Sequence, residues 1–155
     1  MEFWIWLRLI KGLGPILEKR LLSYFGSPGI IYDVEKIDLM NVDGIGEAIA
    51  NTIISSRSLD KAFYILEECK KKNIKLLTYN DDLYPSIAKE QANAPTLLYY
   101  RGNIIENLEG VAIIGSRKCS SYGKEVAFTA ATFLAQNKIP VISGMAKGID
   151  GYAHI

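Results

Sequence analysis

The hydrophobic pattern changes character once along the chain. Up to about residue 72, apolar residues recur with helical spacing, and from Asn73 onward short apolar runs alternate with turn residues. The first stretch reads as a set of short helices. Met1–Pro15 (MEFWIWLRLIKGLGP) has an acid at Glu2, no basic start and no small-residue cleavage site, so it reads as a core-facing first helix rather than a signal peptide. Phe25–Gly29 is a loop, Ile30–Val34 a short helix, and Ser58–Lys72 a longer one. Ala62, Phe63, Ile65 and Leu66 form the apolar face of the longer helix, and Lys70–Lys72 its basic end.

An internal repeat lies within the helical stretch. KGLGPILEKRLL at 11–22 matches DGIGEAIANTII at 43–54. Each copy has glycine, an apolar residue and glycine, followed by a helix-period pattern. This is the helix-hairpin-helix signature, in which glycines permit a tight turn and the second helix offers free N–H groups to a backbone phosphate. Two readings stand side by side: contact with DNA, or a packing corner that serves as scaffold or protein-docking surface. Asp43 and Glu47 in the second copy oppose phosphate.

Beyond Asn73 the pattern predicts a strand at Ile74–Tyr79, a turn at Asn80–Pro85, a strand within Ala94–Arg101 and a polar connection at Gly102–Glu109. The next stretch, GVAIIGSRKCSSYG at 110–123, is the most informative. Val111–Ile114 is apolar at every position, as suits a strand buried on both faces of a parallel sheet. Small, hydroxylated and basic residues follow, and a helical pattern runs from Tyr122 to Asn137. A second short strand at Pro140–Ser143 leads into GMAKGIDGYAH. Two strand-to-loop units bracketing one helix make a right-handed βαβ unit by default, with both loops at one sheet edge. Their amides, hydroxyls and the Arg117 guanidinium suit a phosphate, with a structural ion pair the competing role for Arg117. Neither G-x-G-x-x-G nor G-x-x-x-x-G-K-[ST] occurs, so no nucleotide cofactor is expected.

Composition narrows this only slightly. Hydrophobic residues make up 49% and charged residues 23%, as in a soluble globular chain of one or two small domains. Residues 1–73 carry ten basic and ten acidic side chains, and residues 101–155 six and four, so any nucleic-acid contact rests on placement rather than bulk charge. Two cysteines without metal-ligand spacing fit a reduced, cytoplasmic setting. No stretch is long enough to span a bilayer. Asp150 and His154, four apart, make a poor metal or acid–base pair with no second acid nearby. Asp150 reads better as a helix N-cap.

GSRKCSSYG, ISGMAKGIDGYAH, the YNDDLYP turn and the APTLLYYRG strand, in that order after a helical leader, resemble the DprA/Smf family of DNA-processing proteins of natural transformation. The resemblance covers essentially the whole chain and corresponds to the N-terminal part of the family. It implies an α/β fold: a helix-hairpin-helix (SAM-like) leader over residues 1–72, then a truncated Rossmann-like parallel-sheet domain over 73–155. The family continues past Ala153–His154 to further strands, a second basic motif and a dimer surface. The implied function is a binding protein rather than an enzyme. It binds and protects single-stranded DNA, loads the RecA recombinase, and forms a homodimer in the full-length parent, with no cofactor, metal or membrane. The implied phosphate-binding residues are Gly115, Ser116, Arg117, Ser120, Tyr122 and Gly123 on the first loop. On the second they are Ser143, Gly144, Lys147 and Gly148. Lys147 stands where the family often has arginine, which keeps the charge but loses the two-pronged geometry. Tyr122 either stacks on a base or packs into the core. The alternative is a Rossmann-like domain for a small ligand or nucleotide, extending to a nucleotide hydrolase. The tandem glycine hairpins and the lack of a catalytic acid pair favour the DNA-binding reading.

Overall fold

A computed structural model describes residues 1–105 and 109–155, so part of the polar connection expected at 102–109 lies outside the described residues. The chain divides into two compact units, Met1–Glu106 and Asn107–Ile155.

The first unit begins with six helices: α1 Glu2–Leu9, α2 Pro15–Phe25, α3 Pro28–Asp33, α4 Lys36–Met40, α5 Glu47–Ser55 and α6 Asp60–Lys71. Their apolar faces close on a shared core of Ile5, Trp6, Leu7, Leu21, Ile31, Leu39 and Ile53. Trp6 is anchored at both ends. Its indole N–H donates to Ser56 O at 2.8 Å, and its ring meets Tyr32 edge-on at 4.9 Å. The α6 face departs from expectation: Ala62 is buried, whereas Phe63 is exposed.

The repeat is a structural one. Gly12 and Gly44 both take positive φ, +79° and +84°. Gly14 and Gly46 are both extended and precede α2 and α5, and the Leu13 and Ile45 between each glycine pair are buried. Pro15 fills the first position of α2, where its missing N–H costs nothing. The copies differ in access. The Arg20 guanidinium lies over the second turn, paired with the Asp43 carboxylate at 2.8 Å and donating to Asp43 O at 3.0 Å. Side-chain space at Gly12 and Gly14 is open within 4 Å.

Three further elements complete this unit: β1 Lys75–Thr78, α7 Ser86–Lys89 and β2 Leu97–Tyr100. The strands pair antiparallel, Lys75 opposite Tyr100 and Thr78 opposite Leu97. Strand patterning begins near residue 73 as expected, yet the compact unit runs on to Glu106. Burial explains this. Leu97 belongs to the helical core with Leu76 packed against it, and the buried Thr96 hydroxyl donates to the buried Glu18 carboxylate on α2.

The second unit holds β3 Val111–Ala112, α8 Ser121–Gln136, β4 Val141–Ile142 and α9 Ile149–Tyr152. β3 and β4 pair parallel, Val111 opposite Val141 and Ala112 opposite Ile142, with α8 between them in sequence. The structure thus mixes helices with two small sheets. The regular strand is shorter than the apolar run Val111–Ile114, and it is not buried on both faces. Val111 and Ala112 are exposed, and Ile114 is 75% exposed. Among the described residues this sheet has two strands, too few to enclose them.

Candidate nucleic-acid interface

The loops that follow β3 and β4 are fastened to each other. The Asp150 carboxylate, buried in α9, accepts the Gly115 N–H through one oxygen and the Gly144 N–H through the other, each at 3.2 Å. Ser143 Oγ donates to Ile113 O at 2.6 Å, and the Ile149 N–H donates to Ser116 O at 3.2 Å. Gly148 lies against the first loop. A Cβ there would stand 2.2 Å from Ser116 O and 2.7 Å from Arg117 O. A Cβ at Gly115 would meet Ile149 at 2.7 Å, and one at Gly123 the same side chain at 3.3 Å. Glycine is therefore required at Gly115 and Gly148 for close approach.

This geometry corrects the reading of Asp150 as an N-cap. Gly148 precedes α9, and Asp150 instead ties the two loops together. An acid two residues after a glycine turn resembles a cap in sequence. Its true partners, Gly115 and Gly144, belong to another loop and to a turn behind it.

The ten expected site residues fall into two groups. Seven build the frame. Gly115, Gly144, Gly148, Gly123 and Ser143 make the contacts above. Ser116 Oγ accepts the Lys118 N–H at 3.1 Å and donates to Lys118 O at 2.9 Å. Ser120 caps α8 by accepting the Gly123 N–H at 3.1 Å. The other three face solvent: Arg117, Lys147 and Tyr122, the last 76% exposed rather than packed in a core. Among the described residues neither Arg117 nor Lys147 has a carboxylate partner, and the amides of Arg117, Met145, Ala146 and Lys147 find no acceptor. Lys118 adds a further exposed cation. In the same unit, Lys124 Nζ lies 4.4 Å from the Tyr152 ring centroid.

The Ser120 contact has a measurable consequence. Ser120→Ala removes the only side-chain acceptor at the start of α8 among the described residues. The expected loss is about 1 kcal/mol, typical of an N-cap. Urea unfolding monitored by circular dichroism checks it, and an unchanged midpoint would show the cap to be idle.

Two loops, fastened to each other, thus follow the parallel strands β3 and β4 of an α/β protein. The chain belongs to the DNA recombination-mediator protein A family, whose model matches residues 75–155. Protein Smf of Synechocystis sp. is 32% identical over 157 residues, covering 98% of this chain and 39% of that protein. The DNA processing protein DprA of Streptococcus pneumoniae is 41% identical over 76 residues, or 48% of this chain and 27% of that protein. The X-ray structure of DNA processing protein A (DprA) from Streptococcus pneumoniae matches with a TM-score of 0.71 at 28% identity, covering 99% of this chain and 52% of that one. The chain thus spans about two fifths of the Synechocystis relative and about half of the solved structure. Among the described residues no helix is long and apolar enough to cross a membrane.

Proposed function

We propose that the loop pair of the second unit binds the phosphate backbone of single-stranded DNA, in a protein that mediates recombination during DNA uptake. One observation carries this. Asp150 spends both oxygens on Gly115 and Gly144, and Arg117 and Lys147 stand on touching backbone segments with no carboxylate partner among the described residues. Cations so placed, with free amides between them, suit a phosphate, and Tyr122 offers a base an exposed ring. Membership of a DNA-processing family makes DNA the appropriate polyanion.

On this reading the whole protein protects single-stranded DNA, loads the RecA recombinase, works as a homodimer in the cytoplasm, and performs no catalytic step. The first unit supplies a helix-hairpin-helix leader. Its open Gly12–Gly14 turn is better placed than the Arg20-covered second turn to meet a phosphate. The second unit supplies the first half of a Rossmann-like domain.

Arg117→Ala tests the site. A hydrogen bond to a charged group is worth about 1.5–3 kcal/mol, so affinity for oligo-dT falls roughly 10- to 150-fold. Arg117→Lys recovers only part, because the ammonium keeps the charge without the fork. The loss is similar across base sequences, because phosphate contacts carry no sequence information directly. The slope of log affinity against log salt shrinks by about 0.7, the single-strand value for one phosphate. Anisotropy at several salt concentrations, with free nucleotides as competitors, reads all of this. A folded Arg117→Ala protein with unchanged affinity and slope would make Arg117 structural, and efficient competition by mononucleotides would favour a nucleotide site instead.

A further inference from the structure

The first unit carries a second concentration of positive charge, at the end of α6 and the open end of the β1–β2 pair. α6 finishes with Lys70 and Lys71, followed by Lys72. The chain then folds back at once. The Asn73 N–H donates to Lys70 O at 3.2 Å, the Ile74 N–H donates to Cys69 O at 2.8 Å, and Asn73 takes a positive φ of 51°. β1 therefore starts beside the helix end, with Lys75 as its first residue. Register places Tyr100 opposite Lys75, and Arg101 follows directly. Lys75 Nζ lies 5.7 Å from the Tyr100 ring centroid and donates to Gly102 O at 3.1 Å. Lys70, Lys71, Lys72, Lys75 and Arg101, all exposed, thus gather at one end of the unit.

Their neutralisation is uneven. Glu68 accepts both Lys72 at 2.9 Å and Lys71 at 3.1 Å. Among the described residues Lys70, Lys75 and Arg101 have no carboxylate partner. Favourable interaction with the helix dipole accounts for cations in the last turn of α6, but not for Lys75 on β1 or for Arg101 just after β2. Like charges gathered without counter-charges destabilise the unit that holds them and attract a polyanion.

We infer that this end of the first unit is a second, sequence-independent contact for the phosphate backbone of the same DNA. Lys70, Lys75 and Arg101 meet phosphates, and Glu68 tempers the attraction by holding Lys71 and Lys72. The inference rests on the DNA-binding reading above but not on the loop pair that carries it.

The test measures binding of long oligo-dT to the full chain at several salt concentrations. A triple variant, Lys70→Gln, Lys75→Gln and Arg101→Gln, is expected to reduce the salt slope by about 2, at about 0.7 per single-strand phosphate contact. Glu68→Gln acts in the opposite direction: it releases Lys71 and Lys72, steepens the slope and tightens binding severalfold. That second variant keeps the test decisive if the triple variant folds poorly. An unchanged slope in both variants, with Arg117→Ala still weakening binding, overturns this inference alone. A reduced slope with Arg117→Ala inert supports this surface and overturns the loop reading. No binding by the unmodified chain overturns both.

Discussion

Gly148→Ala is expected to destabilise the second unit by about 3 kcal/mol or more, because two costs fall on one atom. Gly148 has φ +89° and ψ −134°, a backbone region that is essentially glycine-only and costs about 1–3 kcal/mol for other residues. The added Cβ would also stand 2.2 Å from Ser116 O and 2.7 Å from Arg117 O, both backbone atoms that a rotamer change cannot move. The loops must separate, which breaks the bond from the Ile149 N–H to Ser116 O and draws Asp150 away from the Gly115 amide. Two glycines serve as controls. Gly12 shares the positive φ, but its Cβ would meet nothing within 4 Å, so Gly12→Ala costs only the backbone term, about 1 kcal/mol. A Cβ at Gly144 would meet only a side-chain oxygen, Asp150 Oδ2, at 2.9 Å. Hydrogen exchange at the Val111 and Ile113 amides, which bond to Pro140 O and Ile142 O, reports on this unit directly. Equal protection in Gly148→Ala and Gly12→Ala would show that the loops do not interlock as described.

The contrast among those glycines marks where sequence reading stops. Strand, loop and helix around Gly110–Gly123 were legible, since apolar runs and turn residues report local backbone states. So was the repeat at 11–22 and 43–54, because both copies need the same turn. The division of labour among the ten site residues was not. Ser116 and Ser120 look like ligand hydroxyls, yet each closes a local turn, and serine suits both uses. Asp150 appears as a cap, and its bracing role depends on Gly115, which lies 35 residues away. Exposure of the β3 face was illegible for another reason. An apolar run states what a strand prefers to bury, and the elements that would bury it are a property of the assembled sheet.

Glu18 illustrates the same limit within the repeat, and it yields the second large effect. The repeat aligns Glu18 of α2 with Ala50 of α5, and both are fully buried. The copies differ because α2 alone faces Arg8 on α1 and Thr96 before β2. The Arg8 guanidinium meets one carboxylate oxygen at 2.6 Å, and the Thr96 hydroxyl donates to the other. Glu18→Ala should therefore behave unlike its counterpart, which is alanine already. It leaves a cavity and a buried hydroxyl without an acceptor. Breaking a buried pair costs about 3–5 kcal/mol, and the lower end applies because Arg8 can turn to water. Glu18→Gln keeps the shape and an acceptor for Thr96, and costs about 1–2 kcal/mol. Burial pushes the Glu18 carboxyl above its ordinary value, against the smaller opposing pull of Thr96 and Arg8. The folded chain then holds this proton to higher pH than the unfolded chain does. The contribution of Glu18 is complete below the usual glutamate range and declines as pH rises through the raised folded value. The stability gap between the unmodified chain and Glu18→Gln should accordingly be widest in mild acid and narrow towards neutrality. Denaturant midpoints for the two proteins across that range decide it. A gap that widens with rising pH would mean that Arg8 and Thr96 hold the carboxylate more strongly than burial opposes it.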